Sequence, residues 1–191
     1  MTDRLARVAV VRQRLPAPPD VVFDEWTDAA RLAEWMCPRP ARCLNVQADP
    51  RIGGTLRFDI EEAGRTFQVS GTYLTLERPH RVAFTWSCST WPDPTSQTVV
   101  TVTIEPDGAE ASIMTIEHEL LPPALIQQHA HGWTVISMQL SSRLRSTETS
   151  RNRGHRLSPT DPPADATLTS DRPTAHTLLQ RAERPIRDAV E

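Results

Sequence analysis

Residues 117–140 read EHELLPPALIQQHAHGWTVISMQL. This stretch leaves a strand, turns at two prolines and enters a helix, so its reading decides the fold. Met114, Ile116, His118 and Leu120 share one parity, while Glu117 falls on the other, as in a strand with one face inward. Pro122 and Pro123 suit a helix's first turn. Beyond them Leu125, His129, Gly132, Trp133, Ile136, Leu140 and Leu144 make one face of a long helix expected over 123–145. A glycine inside a helix costs about 1 kcal/mol against alanine, so Gly132 is expected to admit a close approach.

His118, His129 and His131 lie within fourteen positions and could ligate a metal, exchange protons or line a wall. His129 and His131 stand about 200° apart around a helix and cannot chelate one ion. His118 shares parity with core residues and His129 shares the inner helix face, whereas His131 points outward. No metal site follows.

Working outward, RVAVVRQRL (7–15) is β-branched and reads as a strand. PPDVVFDEW opens a helix with Val22, Phe23 and Trp26 on one face, and Asp28 can cap a second short helix carrying Leu32 and Trp35. Strand-like segments follow at 42–48, 54–61, 66–76, 80–88, 97–105 and 110–120, divided by turn signals such as Pro106-Asp107-Gly108. Inward sets are Leu56, Phe58 and Ile60; Phe67, Val69, Gly71 and Tyr73; and Val82, Phe84, Trp86 and Cys88. The alternation breaks at Tyr73-Leu74-Leu76, where a bulge or bend is expected. Gly71 and Gly53-Gly54 suit a sheet that must curl. The order is strand, two helices, six strands and one helix, an α+β layout with an antiparallel meander.

The 191 residues carry a formal charge of −3, too small to suggest nucleic acid or an anionic membrane as partner. All 21 basic residues are arginine, which excludes lysine Schiff-base chemistry. Cys37, Cys43 and Cys88 are odd in number without CxxC spacing, and read as reduced, mostly buried thiols. No signal segment or membrane-length apolar run is present, so a cytoplasmic protein is expected. Every aromatic residue lies before residue 145. Residues 146–191 are rich in Ser, Thr, Pro and Arg and read as a mostly disordered tail, with helical spacing of apolar residues over 175–189. The folded domain is expected at 1–145.

The stretches APPDVVFDEWTDAARLAEWM (17–36), DPRIGGTLRFDI (49–60), VSGTYLTLERPHRVAFTW (69–86) and HAHGWTVISMQLSSRL (129–144), in this order, resemble the helix-grip (START-like, SRPBCC) superfamily. Within it the chain is similar to the branch related to the C-terminal domain of the heat-shock-protein ATPase activator. Trp35-Met36 stands where that branch tends to carry paired aromatics. The resemblance implies a curved antiparallel sheet of about seven strands wrapped around the C-terminal helix, with a largely apolar cavity between them. It carries over no catalytic residue and implies no cofactor.

A small-molecule cavity needs an apolar wall and a few polar groups. Trp35, Phe67, Tyr73, Trp86, Met114 and Ile136 could form the wall, with His118 and His129 as polar contacts; core packing accounts for the same residues equally simply. Trp133 reads as an anchor closing the fold, and Trp91 in SCSTWPDPTSQT as a gate at the cavity mouth or a packed loop residue. The expected function is binding of a small hydrophobic molecule. The alternatives are a cyclase-, dehydratase- or hydrolase-type enzyme using the two histidines as acid and base, and a chaperone-related interaction protein. Pairing of edge strands into a homodimer is left open.

Overall fold

The computed structural model describes residues 8–93 and 95–155, with only the backbone at 148 and 150–155. Its elements run β1 (Ala9–Leu15), α1 (Pro19–Thr27), α2 (Ala29–Trp35), β2 (Arg42–Ala48), β3 (Thr55–Glu62), β4 (Arg65–Glu77), β5 (Arg81–Cys88), β6 (Thr98–Pro106), β7 (Ser112–Glu119) and α3 (Ile126–His155). The strands form one seven-stranded sheet in the order β1-β7-β6-β5-β4-β3-β2, every neighbour antiparallel. The α+β helix-grip layout is the expected one. β1 lies beside β7 because the chain returns to that edge after the meander, and α3 packs against β1 and α2.

Local chemistry sets the boundaries. Pro19 opens α1 at a position whose N–H would lack a partner. The Asp28 carboxylate accepts from the Arg31 N–H at 2.9 Å, capping α2. Pro122 precedes a 3-10 turn at Pro123–Leu125, from which α3 continues. The expected break in β4 is a register shift between Tyr73 and Thr75. At Gly71 a β-carbon would sit 1.9 Å from the Thr85 carbonyl oxygen, so only glycine lets β4 approach β5 there.

The core lies between the inner sheet face and the helices: Phe58, Val82, Phe84, Val100, Val102, Ile104 and Ile116 from the sheet, with Val22, Trp26, Leu32, Ile136, Leu140 and Leu144 from the helices. Trp26 is its hub, with ring centres 4.9 Å from Trp35, 6.1 Å from Phe84 and 6.3 Å from Trp133.

Two sequence expectations change. Cys37 and Cys43 are not free thiols but a disulfide, their Cα atoms 5.7 Å apart, within the usual span for such a bond. A tight turn between α2 and β2, closed by the Ala41 N–H on the Pro38 carbonyl at 3.0 Å, brings them together. Only Cys88 is free. The disulfide replaces two of the three reduced thiols expected from the sequence. Among the described residues no helix is long and apolar enough to cross a membrane.

The closing helix also runs to His155, ten residues past the composition change. Ser146, Thr147 and Thr149 satisfy their hydroxyls on carbonyls four residues back, at 3.0–3.1 Å. The expected tail from 156 onward, with its helical pattern at 175–189, lies outside the described residues.

Candidate functional site at the histidine–tryptophan cluster

Strand register brings the first two side chains together. Trp86 pairs with Thr98 across β5 and β6, and Val100 pairs with His118 across β6 and β7. Trp86, Thr98 and His118 all fall on the inner parity. α3 adds Trp133 and, one turn earlier, His129. The His118 and His129 rings meet edge to face at 4.9 Å. Trp133 stands 5.8 Å from His118 and 5.3 Å from Trp86. Trp91, on the loop after β5, sets its ring 5.9 Å from His129.

The hydrogen bonds fix the proton on each imidazole. The Trp133 indole N–H can only donate, and it reaches Nδ1 of His118 at 3.1 Å. The His118 proton therefore sits on Nε2, which donates to the Thr98 hydroxyl at 2.7 Å. The Thr98 hydroxyl in turn donates to the Trp86 carbonyl at 2.9 Å. His118 is thus a neutral ring with both nitrogens satisfied. Burial holds its pKa down to about 3, with His129 adding to the effect. It cannot trade protons with a guest unless this chain breaks.

His129 differs. Its Nδ1 lies 2.9 Å from the Leu125 carbonyl, which can only accept, so Nδ1 carries the proton. Burial lowers its pKa, opposed by that hydrogen bond. The ring is half-buried, and Nε2 has no hydrogen-bond partner among the described residues.

The remaining expected contacts separate into two groups. Trp86, His118 and His129 belong to this cluster. Trp35, Tyr73 and Met114 gather around Trp26 instead. The Tyr73 phenol donates to the Trp26 carbonyl at 3.2 Å, and burial pushes its pKa up. Met114 Sδ accepts from the Trp26 indole at 3.4 Å. Trp35 is buried with its indole N–H unpartnered, as is the Ser137 hydroxyl on α3. Ile136 is buried in the same core, and Phe67 is half-buried on the inner parity of β4, beyond the Val69–Cys88 pair. Tyr73, Met114 and His118 have no accessible surface, so no water-sized space adjoins them.

Two hollows open elsewhere, on the helical flank. One of about 790 Å3 is lined by Glu34, Arg39, Met138, Gln139 and Arg143 among others. A smaller one of about 210 Å3 is lined by Pro16, Val21, Glu25, Arg31 and Leu144 among others. Neither touches an expected ligand contact.

Gly132 also departs from expectation. A β-carbon there would meet nothing within 4 Å, so no close approach explains it; it leaves open space one turn from His129. Gly132→Ala is therefore expected to raise the unfolding free energy by about 1 kcal/mol through helix propensity. Urea denaturation checks this, and a loss of stability would reveal a steric contact. Thr98, which completes the His118 chain, was not singled out from the sequence. Its parity with Val100, Val102 and Ile104 was the available signal. Among the described residues no His, Cys, Asp and Glu side chains cluster as metal ligands.

Residues 16–145 match the family model described as activator of Hsp90 ATPase homolog 1-like protein. The chain belongs to this family. Among solved structures, protein CV1439 from Chromobacterium violaceum is similar at 25% identity and a TM-score of 0.66, over 72% of this chain and 96% of that one. The AHSA1 protein of Silicibacter pomeroyi is similar at 23% identity and a TM-score of 0.62, over 73% and 99%. An Hsp90 activator from Plasmodium falciparum shares the fold at 20% identity and a TM-score of 0.54, over 67% and 88%. Among curated proteins none matches the chain.

Proposed function

We propose that this Hsp90-activator-like domain binds a small, largely apolar molecule at the open end of the sheet–helix interface. The wall there is Phe67, Trp86 and Trp91, and His129 is the polar contact. The supporting observation is the half-buried rim itself: aromatic faces beside an imidazole nitrogen without a protein partner, next to the space left by Gly132. Trp35, Tyr73, Met114, His118 and Ile136 are closed in the core, and a guest touches them only if sheet and helix part. Proton exchange, if the guest reacts, falls to His129 alone, because both nitrogens of His118 are occupied.

Titration with the neutral probe N-phenyl-1-naphthylamine, followed through tryptophan emission, tests this. Saturable binding is expected, and Trp91→Ala should weaken it about tenfold, the size of one good aromatic contact. Absence of saturation, or binding indifferent to both Trp91→Ala and His129→Phe, would refute the site.

The family description supplies a second reading, modulation of an Hsp90-type ATPase. A chaperone turnover rate unchanged by excess protein disposes of it.

A further inference from the structure

Within the ring cluster the buried hydrogen-bonding atoms are spoken for, while at the half-buried rim the indole N–H groups of Trp86 and Trp91 have no hydrogen-bond partner among the described residues. His118 uses both nitrogens, Thr98 both donates and accepts, and Trp133 spends its N–H on His118. The Cys88 thiol pairs with the Thr90 hydroxyl at 3.1 Å. The acceptor left without a partner is Nε2 of His129, and its character follows from the other side of the ring. Because the Leu125 carbonyl holds the proton on Nδ1, Nε2 of the neutral imidazole presents a lone pair and no hydrogen.

A second proton on His129 would place a cation beside the buried His118 ring, 4.9 Å away between centres, and among the described residues no carboxylate forms an ion pair with it. The turn preceding α3 offers no compensating anion site at its start, since the Leu125 and Ile126 N–H groups are already taken by the Pro122 and Pro123 carbonyls.

Resting on the binding reading above, we propose that the rim selects apolar guests carrying a hydrogen-bond donor, such as a phenolic or alcoholic hydroxyl, with His129 Nε2 as the acceptor. A ring stacked against Trp86 or Trp91 supplies the apolar contact, and its hydroxyl proton fills the lone pair. A carboxylate of the same shape meets a lone pair instead of a donor. It must also shed its water without recovering a hydrogen bond at His129, where, among the described residues, the indole N–H groups of Trp86 and Trp91 are the only rim donors left to it. Selection thus rests on a mismatch as much as on a match.

A matched set tests the proposal on the full chain at neutral pH: 2-naphthol, 2-methoxynaphthalene, naphthalene and 2-naphthoate, titrated by calorimetry. In the unaltered protein 2-naphthol should bind about tenfold tighter than its methyl ether, the scale of one hydrogen bond, with 2-naphthoate weakest. His129→Phe should erase the naphthol advantage while retaining binding of naphthalene, and His131→Ala, on the outer face, should leave the whole order intact. As an independent readout, the 15N resonance of His129 Nε2 should shift with 2-naphthol and stay in place with the ether. Equal affinities for naphthol and ether, or 2-naphthoate binding tightest, would overturn the proposal and leave the rim as a plain apolar site. If none of the four binds, the rim itself fails and the proposal falls with it.

Discussion

Arg143→Ala is expected to lower the unfolding free energy by about 3 kcal/mol, because it strands a charge. Glu25 on α1 is almost wholly buried. Its carboxylate accepts from Nε of Arg143 at 2.8 Å, and the same guanidinium reaches Glu34 on α2. One arginine on α3 thereby ties both short helices to the closing helix. The partners are unequal. Glu34 is 60% exposed, and an ion pair that open to water contributes little. Glu25 is 5% exposed at its side chain, and its other cation, Arg31, stands 3.5 Å away and is partly in solvent. Without Arg143 the buried carboxylate keeps only that weaker partner. The double change Glu25→Leu with Arg143→Leu should recover most of the loss, since it removes both charges and leaves none unpaired. Urea denaturation of the two variants checks both parts. A loss below about 1 kcal/mol for Arg143→Ala would reduce the clamp to a surface pair.

The parts of this molecule that could be read from its sequence are those governed by period. Alternation turned His118 inward, helical spacing turned His129 to meet it, and the failed alternation at Tyr73 marked the β4 irregularity. Period says which way a side chain faces, but not how far from the rim it ends. Tyr73 and Met114 face inward as expected, yet they close around Trp26, a residue assigned only to a helix face, and have no space beside them. The Cys37–Cys43 bond was illegible for a related reason. It depends on how a turn rich in proline folds back, and pairing rules based on spacing say nothing about that. Gly132 shows the limit from the opposite side: a helix glycine implies a reason, but whether a neighbour fills the gap is a tertiary fact. The helix past Leu144 escaped because composition reports whether a segment can build a core, while a helix already anchored at Trp133, Ile136 and Leu140 needs no further core to continue.

Between pH 7 and pH 5 the fold is expected to lose about 2 kcal/mol of stability through His118 alone. Its pKa is about 3 in the folded chain against 6.5 for an unperturbed imidazole, so in this range the unfolded chain binds the extra proton and the native one does not. The contribution is fully present above the unfolded pKa and declines as pH falls, by roughly 1.4 kcal/mol per pH unit. His129, shifted the same way, steepens the slope. Asp59, Glu61 and Asp93 also have lowered values. They lose their share only below the ordinary carboxylate range near pH 4, so the interval from 6.5 to 5 isolates the imidazoles. Urea denaturation across that interval should show the slope, and His118→Gln should lessen it while lowering stability throughout, because Trp133 then faces a different partner. NMR supplies a readout that does not depend on the variant folding: the His118 ring should remain neutral at pH 5, with its proton on Nε2. A His118 resonance that titrates near pH 6 would mean that the imidazole is reachable by water, and the sealed chain from Trp133 through His118 to Thr98 could not then be the state in solution.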